Sequence, residues 1–210
     1  MIITHSGRLL AAGAIVLGLA TSIALAGPAL QAHIDVPPVP PEIEVPPGHS
    51  VFFKGHAVGT QNFICLPTVS GVSWTSLSPQ ATLFRTVRGE IHQQNATHFL
   101  SANPSENGLP RPTWQHSLDS SQAWGRVLAS SSDPNYVEPD AIPWLLLEVT
   151  GTQPGPTGGS LFTETTLIHR LNTSGGRAPA TGCSQTTEIG RLALVPYEAD
   201  YYFYGAERRP

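Results

Sequence analysis

The 210-residue chain has little charge and almost no lysine, and this scarcity bears on its partners. Charged residues make up 12% of the sequence, about half the usual share. Lys54 is the single lysine, and the acidic residues outnumber Lys and Arg by 15 to 11. Because no basic patch can follow a phosphate backbone, nucleic acid is not expected as a partner. The apolar share of 40% argues against disorder over most of the chain.

Signatures of common catalytic and metal sites are also missing. The chain has no G-x-S-x-G elbow, no G-x-G-x-x-G after a strand and no CxxC pair. A long helix is missing too, since the best apolar run, residues 141–149, contains Pro143. The sequence therefore leaves open whether the protein is an enzyme.

The first 32 residues predict a secretory signal peptide. Residues 1–8 carry one positive charge and no acid, residues 9–20 are almost wholly apolar, and small residues follow. Cleavage is expected after Ala26 or Ala32. A retained anchor is the alternative, because the apolar run is about long enough to span a bilayer. We expect a secreted protein, extracellular or periplasmic, with no stable membrane span after signal removal.

The two cysteines, Cys65 and Cys183, are predicted to form a disulfide, since an exported chain matures in an oxidising compartment. The bridge would close a loop of 118 residues and stabilise the fold by roughly 4–5 kcal/mol in the chain-entropy model. Two free buried thiols are the alternative.

Beyond residue 32 the pattern predicts one all-β domain, an antiparallel β-sandwich or barrel with one disulfide. Residues 33–47 hold six prolines and are interpreted as an extended tether or edge segment. Residues 48–205 form the predicted β domain, with eleven short apolar runs recurring roughly every 8–15 residues. Residues 206–210 are a C-terminal tail.

Two runs carry more detailed strand predictions. Residues 144–147 are apolar on both faces, which indicates a strand covered on each side. In residues 195–204, alternation places Tyr201 and Phe203 on one face and Tyr202 and Tyr204 on the other.

Four segments resemble one family of proteins. They are VPPGH (residues 45–49), IPWLLLEV (142–149), RLNTSGGRAPATGC (170–183) and VPYEADYYFY (195–204). Together they resemble a family of exported bacterial and fungal proteins known only as a domain of unknown function. The resemblance covers about residues 45–204 and implies export and a single domain. It implies no activity and no catalytic residues.

A polar turn supplies the candidate ligand site. Gly175 and Gly176 permit a tight turn, and Arg170 and Arg177 flank it. The turn is expected to border the main concavity together with exposed aromatic side chains, and a turn merely pinned by the disulfide is the alternative. The predicted ligand is neutral or acidic and oxygen-rich, such as a glycan. The predicted ligand-binding residues are Trp114, Asn172, Arg177 and Tyr202.

Histidines supply the candidate metal site. His92 and His98 bracket an apparent hairpin, and His116 lies in the next predicted strand. Imidazoles from neighbouring strands would suit copper or zinc. The sequence therefore favours a non-catalytic exported binding or surface protein, with a His-based copper or zinc metalloenzyme as the alternative. It does not predict the oligomeric state.

Overall fold

The computed structural model describes residues 33–87 and 90–207, except for the side chains of residues 86, 87, 91 and 92. The predicted signal peptide lies outside these residues. The described ranges contain eight β-strands, four short 3₁₀ turns and no α-helix. The strands are His49–Thr68 (β1), Gly71–Val87 (β2), Glu90–Asn103 (β3), Leu109–His116 (β4), Gln122–Ser131 (β5), Trp144–Gln153 (β6), Leu167–Gly175 (β7) and Leu192–Ala206 (β8).

The strands form a closed antiparallel barrel. Each strand pairs with the next along the chain, and β8 pairs back onto β1, with Ala57 opposite Ala199. Each of the eight strands has a neighbour on both sides, although β4 and β5 share only three residue pairs. A closed sheet has no edge strand, which removes a route to aggregation. The predicted all-β antiparallel class is confirmed, and of its two forms the structure is the barrel.

β1 is one long strand, whereas the sequence predicts short ones, because Gly59 lies within the strand and does not end it. A Cβ at residue 59 would collide with the carbonyl oxygen of Gln80 and with Ala81 on β2. The glycine therefore permits a close approach of two backbones, which is a recognised role of glycine within a strand. Uninterrupted strands explain why eight are present where eleven short ones were predicted.

The barrel interior is closed at one end by aromatic side chains. The link from β6 to β7 contains a 3₁₀ turn, Leu161–Glu164, that places Phe162 inside with no exposed surface. Its ring stacks on Phe203 with centroids 4.6 Å apart, and Phe53 meets both rings edge-on at 5.0 Å. Full burial of such a ring stabilises the fold by roughly 1.5–3 kcal/mol.

A second apolar core lies on the outside of the barrel, beneath the proline-rich segment. Ile43 is completely buried there with Trp144, Leu146 and Tyr204. Ile34, Val36, Val39 and Val45 pack against the same cluster. The segment interpreted as a tether or edge is therefore packed on the barrel. The segment also covers the outer face of residues 144–147. The prediction that this strand is covered on both sides is therefore confirmed.

The predicted disulfide is confirmed. Cys65 on β1 is bonded to Cys183 in the link between β7 and β8, with Cα atoms 5.5 Å apart. The indole N–H of Trp74 donates to the carbonyl of Thr181, at 3.0 Å, and holds the same link against β2. Within the described part of the chain, no helix has the length and hydrophobicity to cross a membrane.

Candidate ligand-binding cavity

The barrel contains a cavity of about 300 Å³ that is lined by residues of all eight strands. It lies toward the end of the barrel where β1 connects to β2 and β7 connects to β8. The opposite end is the one closed by Phe53, Phe162 and Phe203. Its walls are mainly apolar, and its few polar side chains include those of His98, Arg170 and Tyr201.

His98 and Trp114 form one wall of the cavity. They are direct partners in the β3–β4 register, and their rings stack with centroids 4.2 Å apart and planes 8° apart. The ring of Tyr201 lies 5.1 Å from His98 and 5.5 Å from Trp114. Cross-strand aromatic pairs of this kind stabilise a sheet and hold both rings in one orientation.

The protonation state of His98 follows from its surroundings. Its Nδ1 lies 2.9 Å from the carbonyl oxygen of Thr113, which only accepts hydrogen bonds, so Nδ1 carries the proton. Burial lowers the pKa of His98 to about 3, despite the Thr113 bond and with help from the charge of Arg170. His98 is therefore neutral at ordinary pH, and its Nε2 is an acceptor.

Arg170 places a positive charge inside the barrel. It follows Ile168 on the inward face of β7, and its Nε and Nη2 both donate to the carbonyl oxygen of Pro143, at 3.2 and 2.8 Å. Burial raises the pKa of Tyr201, and the charge of Arg170 opposes this rise. Among the described residues, no carboxylate pairs with its guanidinium.

The titrating groups of the cavity have pKa values displaced from the neutral range. Burial raises the pKa of Tyr201, whose hydroxyl lies 3.3 Å from that of Tyr197, and burial keeps His98 neutral. Neither group has a pKa near 7, where a general acid or base works best. Within the described residues, the cavity lining contains no carboxylate and no cysteine.

The structure separates the four predicted ligand-binding residues. Trp114 lies in the cavity wall, whereas Tyr202 lies in the outer core and Asn172 is exposed on β7. Arg177 is 58% exposed, and its guanidinium lies 3.7 Å from the carboxylate of Asp140. None of residues 172–178 is among those that line this cavity.

Asn172 and Tyr202 instead meet at Asp200, on the outer face of β8. The Asp200 carboxylate accepts from Asn172 at 3.0 Å, pairs with Lys54 at 2.9 Å and lies 2.9 Å from the Nδ1 of His56. The Tyr202 hydroxyl lies 3.5 Å away. Burial opposes ionisation of Asp200, but these bonds outweigh it and lower its pKa. The contacts satisfy one another, which indicates a structural network.

The three predicted metal ligands are not seen to form a site. The side chain of His92 is not among the described residues. His98 has its Nδ1 committed to Thr113, and His116 has its Nδ1 2.9 Å from the Asp119 carboxylate. Over residues 33–87 and 90–207, no three His, Cys, Asp or Glu side chains are grouped as a metal site requires.

The sequence indicated Arg170 only as a flank of the turn, and Tyr201 was not among the predicted ligand-binding residues. A signal for both was present in the alternation. Arg170 shares the inward face of β7 with Ile168, and Tyr201 shares that of β8 with Phe203. An arginine on the apolar face of a strand indicates an interior charge, once that face is known to be the inside.

Fold and site together define the chain as a closed eight-stranded β-barrel with a lined internal cavity. The chain belongs to the family described as Protein of unknown function (DUF3455), whose model matches residues 46–205. The predicted resemblance to an uncharacterised family is thereby confirmed. No curated protein and no solved structure shows significant similarity to the chain.

Proposed function

We propose that this protein is an exported, non-catalytic binding protein that holds one small molecule in its barrel cavity. The observation that carries the proposal is the cavity of about 300 Å³, lined by all eight strands. Apolar walls with a few convergent polar groups are the usual composition of small-molecule sites. Rigid strands position these groups, which favours binding without rearrangement.

The proposed ligand position differs from the polar turn predicted from the sequence. Asn172 has its own partner in Asp200, and Arg177 is exposed to solvent. Trp114 is the one predicted residue that lies in the cavity wall. We therefore assign the ligand to this cavity of the barrel.

A pair of matched variants tests the position of the ligand. Ser76 lines the cavity at an exposed position, and Ser73 lies on the same strand, is also exposed and does not line it. Ser76→Trp should fill the cavity, whereas Ser73→Trp adds the same side chain elsewhere. Ligand-observed NMR with a library of small aromatic and aliphatic compounds then compares both variants with the wild type.

We expect the bound compounds to lose binding in Ser76→Trp and to keep it in Ser73→Trp. Thermal melting of both variants shows that the barrel remains folded. Compounds that bind Ser76→Trp as well as the wild type would contradict a cavity site, as would a library without any binder. Export is tested separately: the protein recovered outside the cytoplasm should begin at Gly27 or His33, and one that retains Met1 would contradict signal cleavage.

A further inference from the structure

We infer that the cavity is built for a small acid with a mainly apolar body, whose carboxylate pairs with Arg170. This inference rests on the proposed binding function and names the class of ligand that the same cavity takes. It depends on three features of the interior: an arginine without an acidic partner, a histidine that offers only an acceptor, and apolar walls.

Arg170 is the group of the cavity that is suited to bind an anion. Its Nε and Nη2 both donate to one neutral acceptor, the carbonyl oxygen of Pro143. Arg170 is partly buried, and a charged side chain withdrawn from water is normally paired with an opposite charge, because desolvation of a lone charge is costly. No described carboxylate fills this role. The planar guanidinium matches a carboxylate better than it matches a neutral oxygen.

The Pro143 bonds also fix the direction of the guanidinium. Pro143 directly precedes β6, and Leu145 of β6 pairs with Arg170 in the β6–β7 register. Two hydrogen bonds to one carbonyl oxygen hold the planar group in place before any ligand arrives. A binding group that is already oriented loses less conformational entropy when the ligand binds.

His98 determines which chemical group of the ligand can lie against the wall that His98 forms with Trp114. The Nδ1–H of His98 donates to the carbonyl oxygen of Thr113, so Nε2 of the neutral ring carries a lone pair. A carboxylate beside that lone pair would be repelled, whereas a hydroxyl or N–H group could donate to it. The acid group is thus directed to Arg170, and a second negative charge near His98 is disfavoured.

The remaining surface is suited to an apolar body. Phe63, Pro79, Ile142, Leu145 and Leu147 supply most of the wall. The cavity volume of about 300 Å³ is at the lower end of the range for ligand pockets. A ring system of one or two rings with one acid group therefore fits the volume, the walls and the charge.

The test compares 2-naphthoate with its neutral analogue 2-naphthamide, by isothermal titration calorimetry on the wild-type protein. The two probes have the same apolar body and nearly the same shape. Because hydrogen bonds to charged groups contribute about 1.5–3 kcal/mol, the acid should bind at least about tenfold more tightly. This comparison needs no variant, so it does not depend on a variant folding.

Arg170→Met should abolish the preference for the acid, and Arg170→Lys should restore part of it. Arg177→Met is the matched control, because it removes an equal charge from an exposed arginine. It should leave the preference unchanged. Thermal melting reports whether each variant is folded.

Equal binding of acid and amide to the wild type overturns the inference, as does an equal loss in Arg177→Met. If neither probe binds while other compounds bind in a Ser76-dependent way, the acid inference fails and the proposed function stands. If no compound of any class depends on the cavity, both fail.

Discussion

His169 is expected to hold the proline-rich segment on the barrel, and its replacement tests this directly. His169 is 1% exposed, its Nε2 lies 2.7 Å from the carbonyl oxygen of Ile43, and its Nδ1 lies 3.0 Å from the hydroxyl of Tyr204. Since a carbonyl only accepts, Nε2 carries the proton and Nδ1 accepts from Tyr204. One neutral imidazole therefore satisfies two buried groups on two elements.

His169→Phe keeps a flat ring but removes both hydrogen bonds. Ile43 is fully buried and Tyr204 is 5% exposed, so water cannot easily replace the lost partner. Each buried polar group left without a partner costs about 1–3 kcal/mol. We expect the free energy of unfolding to fall by about 2–6 kcal/mol in total, the sum of the two costs.

Urea denaturation, followed by tryptophan fluorescence, measures this loss. A double-mutant cycle with Tyr204→Phe separates the hydrogen bond from packing. In the His169→Phe background the Tyr204 hydroxyl has no partner, so its removal should cost little or nothing. In the wild type the same change should leave Nδ1 of His169 without its donor and cost about 1 kcal/mol or more.

Limited proteolysis adds a local readout. If His169 anchors the segment, residues 34–45 should become cleavable in His169→Phe before the barrel unfolds. A loss of stability below about 0.5 kcal/mol, together with strictly additive effects in the cycle, would refute the reasoning.

Two further predictions concern pH and the disulfide. Burial lowers the pKa of His98 to about 3 and also lowers that of His169, so the unfolded chain binds more protons below pH 6.5. The free energy of unfolding should therefore decrease as the pH falls from 6.5 toward 5. The decrease should reach up to about 1.4 kcal/mol per pH unit for each histidine. A urea midpoint that is the same at pH 7 and at pH 5 would contradict this prediction. Replacing both Cys65 and Cys183 by Ala removes a cross-link over 118 residues and should lower the free energy of unfolding by about 4–5 kcal/mol. Denaturation of the variant beside oxidised and reduced wild type measures it, and a loss below about 1 kcal/mol would contradict the chain-entropy estimate.

Local features of the fold were predictable from the sequence because they depend on neighbouring residues. Alternation in residues 195–204 assigned Tyr201 and Phe203 to one face and Tyr202 and Tyr204 to the other, and the two cores contain these pairs. The pairing of Cys65 with Cys183 was predictable since no other cysteine competes. The all-β class followed from short apolar runs between turn-forming residues.

Which face of a strand is the inside was decided only by the tertiary structure. Barrel closure depends on contacts between β1 and β8. One of them joins His56 to Asp200, two residues that are 144 positions apart in the chain. A two-residue period shows that two faces exist, but aromatic side chains occupy both faces of β8, so the aromatic pattern does not say which face encloses the cavity. For that reason the sequence grouped Trp114 with Tyr202, whereas the barrel wall separates them. The interior position of Arg170 and the packing of the proline-rich segment on the outer face follow from the same closure. Both are set by residues far apart in the chain, beyond the reach of local periodicity.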